Sequence, residues 1–149
     1  MLKFSMSKKP MIGVADKVMS AVERETKQAV AAATTSIHAT IIKSINRHQS
    51  SGETYGKHTA SKPGFPPNTD TGALAASIKM QFDNEDGTFT GIVGTNSPYA
   101  AGLEFGTSNI APRPFFGPAF RDEKEKFIKR TKSKSDSNPF WKGIKKGAK

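Results

Sequence analysis

Few side chains in this sequence are of a type and spacing that could do chemistry. His38, His48 and His58 stand ten residues apart. Metal-binding pairs on one element sit roughly three to five positions apart, so these three assemble no site, and no cysteine is present to complete one. Glu104 is a lone acid between Leu103 and Phe105. As a general acid it would need a partner and a pocket, and the neighbouring sequence offers neither. Arg113 is held between Pro112 and Pro114, a fixed backbone that suits a guanidinium to rigid bidentate pairing. Glu104 is therefore expected to pair with a basic residue such as Arg113, inside one subunit or across an interface. There is no P-loop and no G-x-S-x-G, and the glycines at 102 and 106 lack the strand–turn–helix of a dinucleotide fingerprint. These residues imply no catalytic, cofactor or metal site, and the chain is not expected to be an enzyme.

The stretch that must position Glu104 and Arg113 is Pro98 to Phe120, PYAAGLEFGTSNIAPRPFFGPAF. Pro98 fits the first position of a helix, with Asn96 or Ser97 as its cap, and Tyr99 to Phe105 then makes about two turns. Gly106 ends that helix. Pro112 and Pro114 push Ala111 and Arg113 towards extended backbone, which places Phe115 and Phe116 on opposite sides. Pro118 opens a further helix, from about Ala119 to Lys132. The plainer alternative is a proline-rich connector packed on a core.

Upstream, the spacing predicts a long helix from about Ile12 to Asn46. Val14, Val18, Val22, Ala29, Ala33, Ile37, Ile41 and Ile45 recur mostly every four residues. At 1.5 Å per residue it would run for about 50 Å. It could lie along its own sheet, or pack in part on a neighbouring subunit. Residues 49–68 are rich in Ser, Gly, Thr and Pro and read as a long loop, which could reach a neighbour, line a channel or simply lie on the surface. Asp70 or Thr71 can cap a short helix to about Ser77, with Leu74 and Ile78 on one face. Ile78, Met80 and Phe82 alternate with polar residues, Asn84 to Gly87 is a turn, and Thr88 to Gly94 returns, a hairpin with one buried face. A third strand is expected over 111–116. The fold class is thus α+β: a small antiparallel sheet of a hairpin plus a third strand, packed by one long N-terminal helix, with short edge helices and extended arms. The expected organisation is an N-terminal arm over 1–11, one α+β domain over 12–132, and a basic C-terminal arm over 133–149.

Composition limits the function classes. The chain has 149 residues, a hydrophobic fraction of 35% and a formal net charge of +10. That charge favours nucleic acid or acidic protein surfaces, but it is uneven: Lys132 to Lys149 holds six lysines and one aspartate. Within this tail Phe140, Trp141, Lys142, Lys145 and Lys146 form a candidate partner-docking or DNA-facing arm. The aromatic pair could stack on bases, plug a partner's apolar groove or pack back on its own domain. The only tryptophan of the chain favours docking on protein, self or neighbour. No apolar run is long enough for a membrane span, and the basic start (Lys3, Lys8, Lys9) precedes too short an apolar run for a signal peptide. Synthesis and use in the cytoplasm, or in a particle assembled there, is expected.

LEFGT followed by APRPFFGPAF resembles the signature of the head–tail joining, or tail-completion, proteins of long-tailed bacteriophages. Upstream, as the first motif in chain order, KPGFPPNTDTGALAASI is similar to the family's other signature, a proline-rich loop entering a Thr-Gly-x-Leu helix, although Ala75 and Ala76 stand where that motif often carries a basic residue. The two motifs come in the family's order and cover roughly 62–120. The resemblance marks Pro63, Pro66, Pro67, Thr71, Gly72 and Leu74, and then Tyr99, Glu104, Phe105, Gly106, Arg113, Pro114, Phe115 and Pro118, as interface or structural residues. It implies a virion structural protein forming a ring in the neck, six copies in preference to twelve. Its expected partners are itself, head connector or portal-side proteins, and tail terminator or tube proteins, with the DNA in the lumen as a further candidate and no membrane. The alternative from charge alone is a sequence-independent nucleic-acid-binding protein; the central motifs are poor in Lys and Arg, and no helix-turn-helix, zinc or RRM pattern is present.

Overall fold

The computed structural model describes residues 9–47 and 52–137. Expectations about residues 1–8, His48, the start of the long loop and the tail residues Phe140, Trp141, Lys142, Lys145 and Lys146 lie outside the described residues. The architecture is α+β, as the two periodicities predict. Helix α1 spans Lys9–Ile45, about 55 Å at 1.5 Å per residue. Threonines disfavour helix interiors because their hydroxyls compete for backbone groups. Here Thr26, Thr34 and Thr35 turn that competition inward, each donating to the carbonyl four residues back at 2.8–2.9 Å. The apolar stripe of α1 divides in two. Ile41 and Ile45 are fully buried, whereas Met19 and Val22 are exposed.

The C-terminal half of α1 covers a hairpin of β1, Ile78–Glu85, and β2, Thr88–Thr95. The strands pair antiparallel from Ile78 opposite Thr95 to Glu85 opposite Thr88. Asp86 and Gly87 both take positive φ, 48° and 75°, the backbone of a type I′ turn, whose twist matches the strands it joins. Helix α1 approaches closely at Gly91, where a Cβ would lie 1.8 Å from Thr34 Oγ1. Only a residue without a side chain fits beneath that threonine. The buried face is shorter than the alternation suggests, because Met80 and Phe82 are more than two-fifths exposed. Phe82 instead stacks on Phe89, with ring centres 5.8 Å apart.

The third strand does not form. The sheet is two-stranded, and residues 111–115 are irregular. Pro112 and Pro114 have no N–H for a ladder, and Arg113 N spends its hydrogen bond on Leu103 O at 2.6 Å. Within the stretch expected to be loop, Thr54–Tyr55 and His58–Thr59 form a small separate antiparallel pair turning at Gly56. There Tyr55 Oη donates to the Glu53 carboxylate, and this bond holds the phenol above its usual pKa.

Three further helices complete the chain: α2, Ala73–Ser77; α3, Ala100–Phe105; and α4, Phe116–Ser137. Helix α4 starts three residues before the expected Ala119, so Pro118 falls inside its first turn, where a missing N–H costs nothing. Helix α4 packs on α1. Glu123, only 2% exposed, accepts from Ser36 Oγ at 2.8 Å and pairs with Arg130. The core gathers Ile41, Ile45, Leu74, Ile78, Ala100, Phe115 and Ala119. Phe115 is its largest fully buried side chain, worth about 2–3 kcal/mol of burial.

Candidate assembly surface

The second motif folds into a clasp built around Glu104. Gly106 ends α3 with φ 80° and ψ 171°, a region open essentially to glycine alone. The chain then makes a tight loop, Thr107 N donating to Ile110 O at 2.8 Å, and comes back along α3. At the start of α4 the N–H groups of Phe115, Phe116 and Gly117 all donate to the Glu104 carboxylate, at 2.8, 3.0 and 2.8 Å. A helix N-terminus has orphan donors and partial positive charge. A carboxylate supplied from the preceding helix answers both. Gly117 lets it approach, since a Cβ there would stand 3.1 Å from Glu104 Oε1.

This corrects the expected pairing of Glu104 with Arg113 within the subunit. Arg113 Nε donates to Ser61 O at 3.2 Å and Nη1 to Ala111 O at 3.3 Å. The arginine is a strut between the two motifs, and the glutamate is a helix cap. Two smaller expectations also change. Neither Asn96 nor Ser97 caps α3; Tyr99 stands at that position without a side-chain cap bond. Phe115 and Phe116 do not diverge, because Phe116 is already helical; their rings lie 4.9 Å apart.

The first motif is tied to the same clasp. Gly64 N donates to Pro112 O at 2.8 Å. Pro63 is exposed, Pro66 half-buried and Pro67 buried. Asn68, which the sequence gave no reason to single out, is buried and donates to Thr59 O at 2.7 Å. Thr71 Oγ1 accepts from Ala73 N at 3.3 Å, Gly72 takes the left-handed conformation at the head of α2, and Leu74 enters the core. An open cleft of about 400 Å³ lies between the motifs, with His58, Asp70, Tyr99 and Arg113 on its walls. His58 Nδ1 is 3.9 Å from Asp70 Oδ1. His38 faces elsewhere, its Nε2 3.2 Å from Ile78 O. Among the described residues no cluster of His, Asp or Glu could hold a metal ion.

On another side of the molecule, β2 has no strand partner along its outer edge among the described residues. Between that edge and the clasp runs an apolar groove of about 790 Å³, lined by Ile37, Ile92, Val93, Phe105, Phe116 and Phe120 among others. Phe105 is 81% exposed and Phe120 58%. The motif thus turns one phenylalanine into the core and sets two others at the rim of an open groove.

The sequence profile of the family described as "HK97-gp10_like: Bacteriophage HK97-gp10, putative tail-component" matches residues 11–106. That span is well over half of the chain. The chain belongs to this phage tail-component family. No curated protein and no solved structure matches it. The family match takes in α1, the first motif, the hairpin and α3 with Glu104. The helix start that Glu104 caps, and the Arg113 strut, lie beyond it. No helix among the described residues is long and apolar enough to cross a membrane.

Proposed function

We propose that this tail component is a structural ring protein of the phage neck, without catalytic activity, that completes the tail and joins it to the head connector. One observation carries the reading: a single copy leaves Tyr55, Phe65, Tyr99, Phe105 and Phe120 exposed around a small core. Folded monomers rarely leave such apolar surface uncovered in contiguous patches, and where they do, the patch meets a partner. Membership of a tail-component family makes copies of the same chain, and the proteins above and below it in the virion, the partners of choice. The groove and the uncovered half of α1 are different surfaces, so contacts between copies would be heterologous, the kind that closes a ring. Six copies remain the preferred number.

The test is the native mass of the full chain after nuclease treatment in moderate salt. A closed oligomer of six copies is expected. A monomer that instead retards duplex DNA, with a steep loss of affinity as salt rises, would overturn the ring in favour of a nucleic-acid-binding protein.

A further inference from the structure

The groove beside β2 is open, aromatic and built from the clasp itself. What could fill it is constrained by the chain's own geometry. Helix α4 leaves the groove at Phe120 and runs to Ser137. That is seventeen residues of helix, about 26 Å. Phe140 and Trp141 follow Ser137 by three and four residues. Even fully extended, those residues reach back only about 10–14 Å. The most apolar part of the tail therefore cannot seat in its own groove.

Charge gives the second constraint. In the hairpin register Ile92 lies opposite Gln81, Thr90 opposite Asp83, and Thr88 opposite Glu85. Opposite residues share a sheet face, and Gly91 faces Thr34 of α1, so Ile92, Asp83 and Glu85 lie on the face turned away from α1, and Ile92 meets the groove at the outer edge of β2. An occupant that is aromatic first and basic afterwards would fill the apolar groove and, on crossing the β2 edge at Ile92, meet the carboxylates of the outer face. The tail reads Phe140, Trp141, Lys142, then Lys145 and Lys146, with no acid after Asp136.

We propose that the tail of one copy docks on a second copy, Phe140 and Trp141 entering the groove between β2 and the clasp, and the lysines passing over Asp83 and Glu85. The proposal rests on the reading that copies of this chain assemble, and names the contact that joins them.

Trp141 is the only tryptophan, so its fluorescence reports on this contact alone. In a dilution series of nuclease-treated full-length protein, the emission should be blue-shifted when concentrated and move to the red as native mass falls. Phe105→Asp, at a highly exposed position, should keep the far-ultraviolet circular dichroism of the parent yet leave the emission red at every concentration. Both it and the Phe140→Ala/Trp141→Ala double variant should weaken self-association roughly tenfold or more, the scale of losing an aromatic anchor. Mixing the two variants should restore a pairwise complex, because one keeps its tail and the other its groove. Emission that is blue and independent of concentration would overturn the proposal in favour of docking on the same copy. Emission that turns blue only when DNA is added would overturn it in favour of base stacking. A double variant that assembles like the parent would overturn it while leaving the ring intact. A parent that is monomeric throughout, with red emission, would remove both.

Discussion

Replacing Glu104 with alanine should destabilise the fold by about 2–4 kcal/mol, through a helix that Glu104 does not belong to. The carboxylate accepts three N–H groups at the head of α4. A lost N-cap costs about 0.5–2 kcal/mol, and a charge placed against a helix dipole in a partly buried site adds up to about 2. Hydrogen bonds to a charged group are worth about 1.5–3 kcal/mol singly, but three donors sharing one carboxylate do not sum. Out of a total of about 5–15 kcal/mol, the expected loss is large. Glu104→Gln keeps one acceptor oxygen and turns an NH₂ towards the donors, so it should fall between parent and alanine. The assay is urea unfolding followed by circular dichroism, at two protein concentrations so that any contribution from assembly is seen. Arg113→Ala separates the cap from an ion pair. It loses the bonds to the Ser61 and Ala111 carbonyls, about 1–2 kcal/mol. A charge swap, Glu104→Arg with Arg113→Glu, should be worse than either single change. The capping argument is refuted if Glu104→Ala stays within about 0.5 kcal/mol of the parent, the range of an ordinary surface change, or if the swap restores stability.

Three other outcomes are expected. Gly91→Ala should cost about 1–3 kcal/mol by overpacking, because its Cβ would meet Thr34 Oγ1 at 1.8 Å; Thr34→Ala should recover part of the loss, and strictly additive costs in a double-mutant cycle would deny the contact. Glu123→Ala removes the buried acceptor of Ser36 and the partner of Arg130. It should lower stability by about 1.5–3 kcal/mol, with Glu123→Gln milder, as read by thermal unfolding. In a Tyr99→Phe background, Tyr55 should ionise above the ordinary tyrosine range, and Glu53→Gln should lower that midpoint, followed by phenolate absorbance. Because the folded-state pKa is raised, the contact is complete below the ordinary tyrosine pKa of about 10 and is lost as pH climbs through the raised value.

What the sequence revealed follows from the range over which its signals act. The spacing of Ile37, Ile41 and Ile45 and the alternation from Ile78 to Phe82 are local, and they placed α1 and the hairpin correctly. Asp86–Gly87 carried its own turn chemistry. The third strand fails for a reason the sequence itself holds: two prolines in six residues, Pro112 and Pro114, cannot serve a ladder. Glu104 stands out in the sequence as a lone acid suited to pairing, and in the fold it is a cap. Capping boxes are recognised within one turn of the helix they serve, and this glutamate precedes its helix by twelve residues. Gly91 gave no sign either, because its need for an absent side chain arises only when Thr34 arrives from fifty-seven positions earlier. The uncovered stretch around Met19 and Val22 continues the same stripe as the buried isoleucines. Periodicity says which face is apolar, not what will cover it.

The loop between α3 and α4 has one more consequence. Its return leg is pinned independently, Arg113 N to Leu103 O and Gly64 N to Pro112 O, while Ser108 and Asn109 at its tip are exposed and neither lines the groove. Closure is therefore enforced from outside the tip. Lengthening such a loop is cheap, each doubling costing about 0.6 kcal/mol. A short epitope inserted between Ser108 and Asn109 would disturb only the small turn held by Thr107. It would give this tail component a tag at a fixed point of its fold, and whether an antibody or a gold particle finds that tag on an intact virion would tell which way the loop faces.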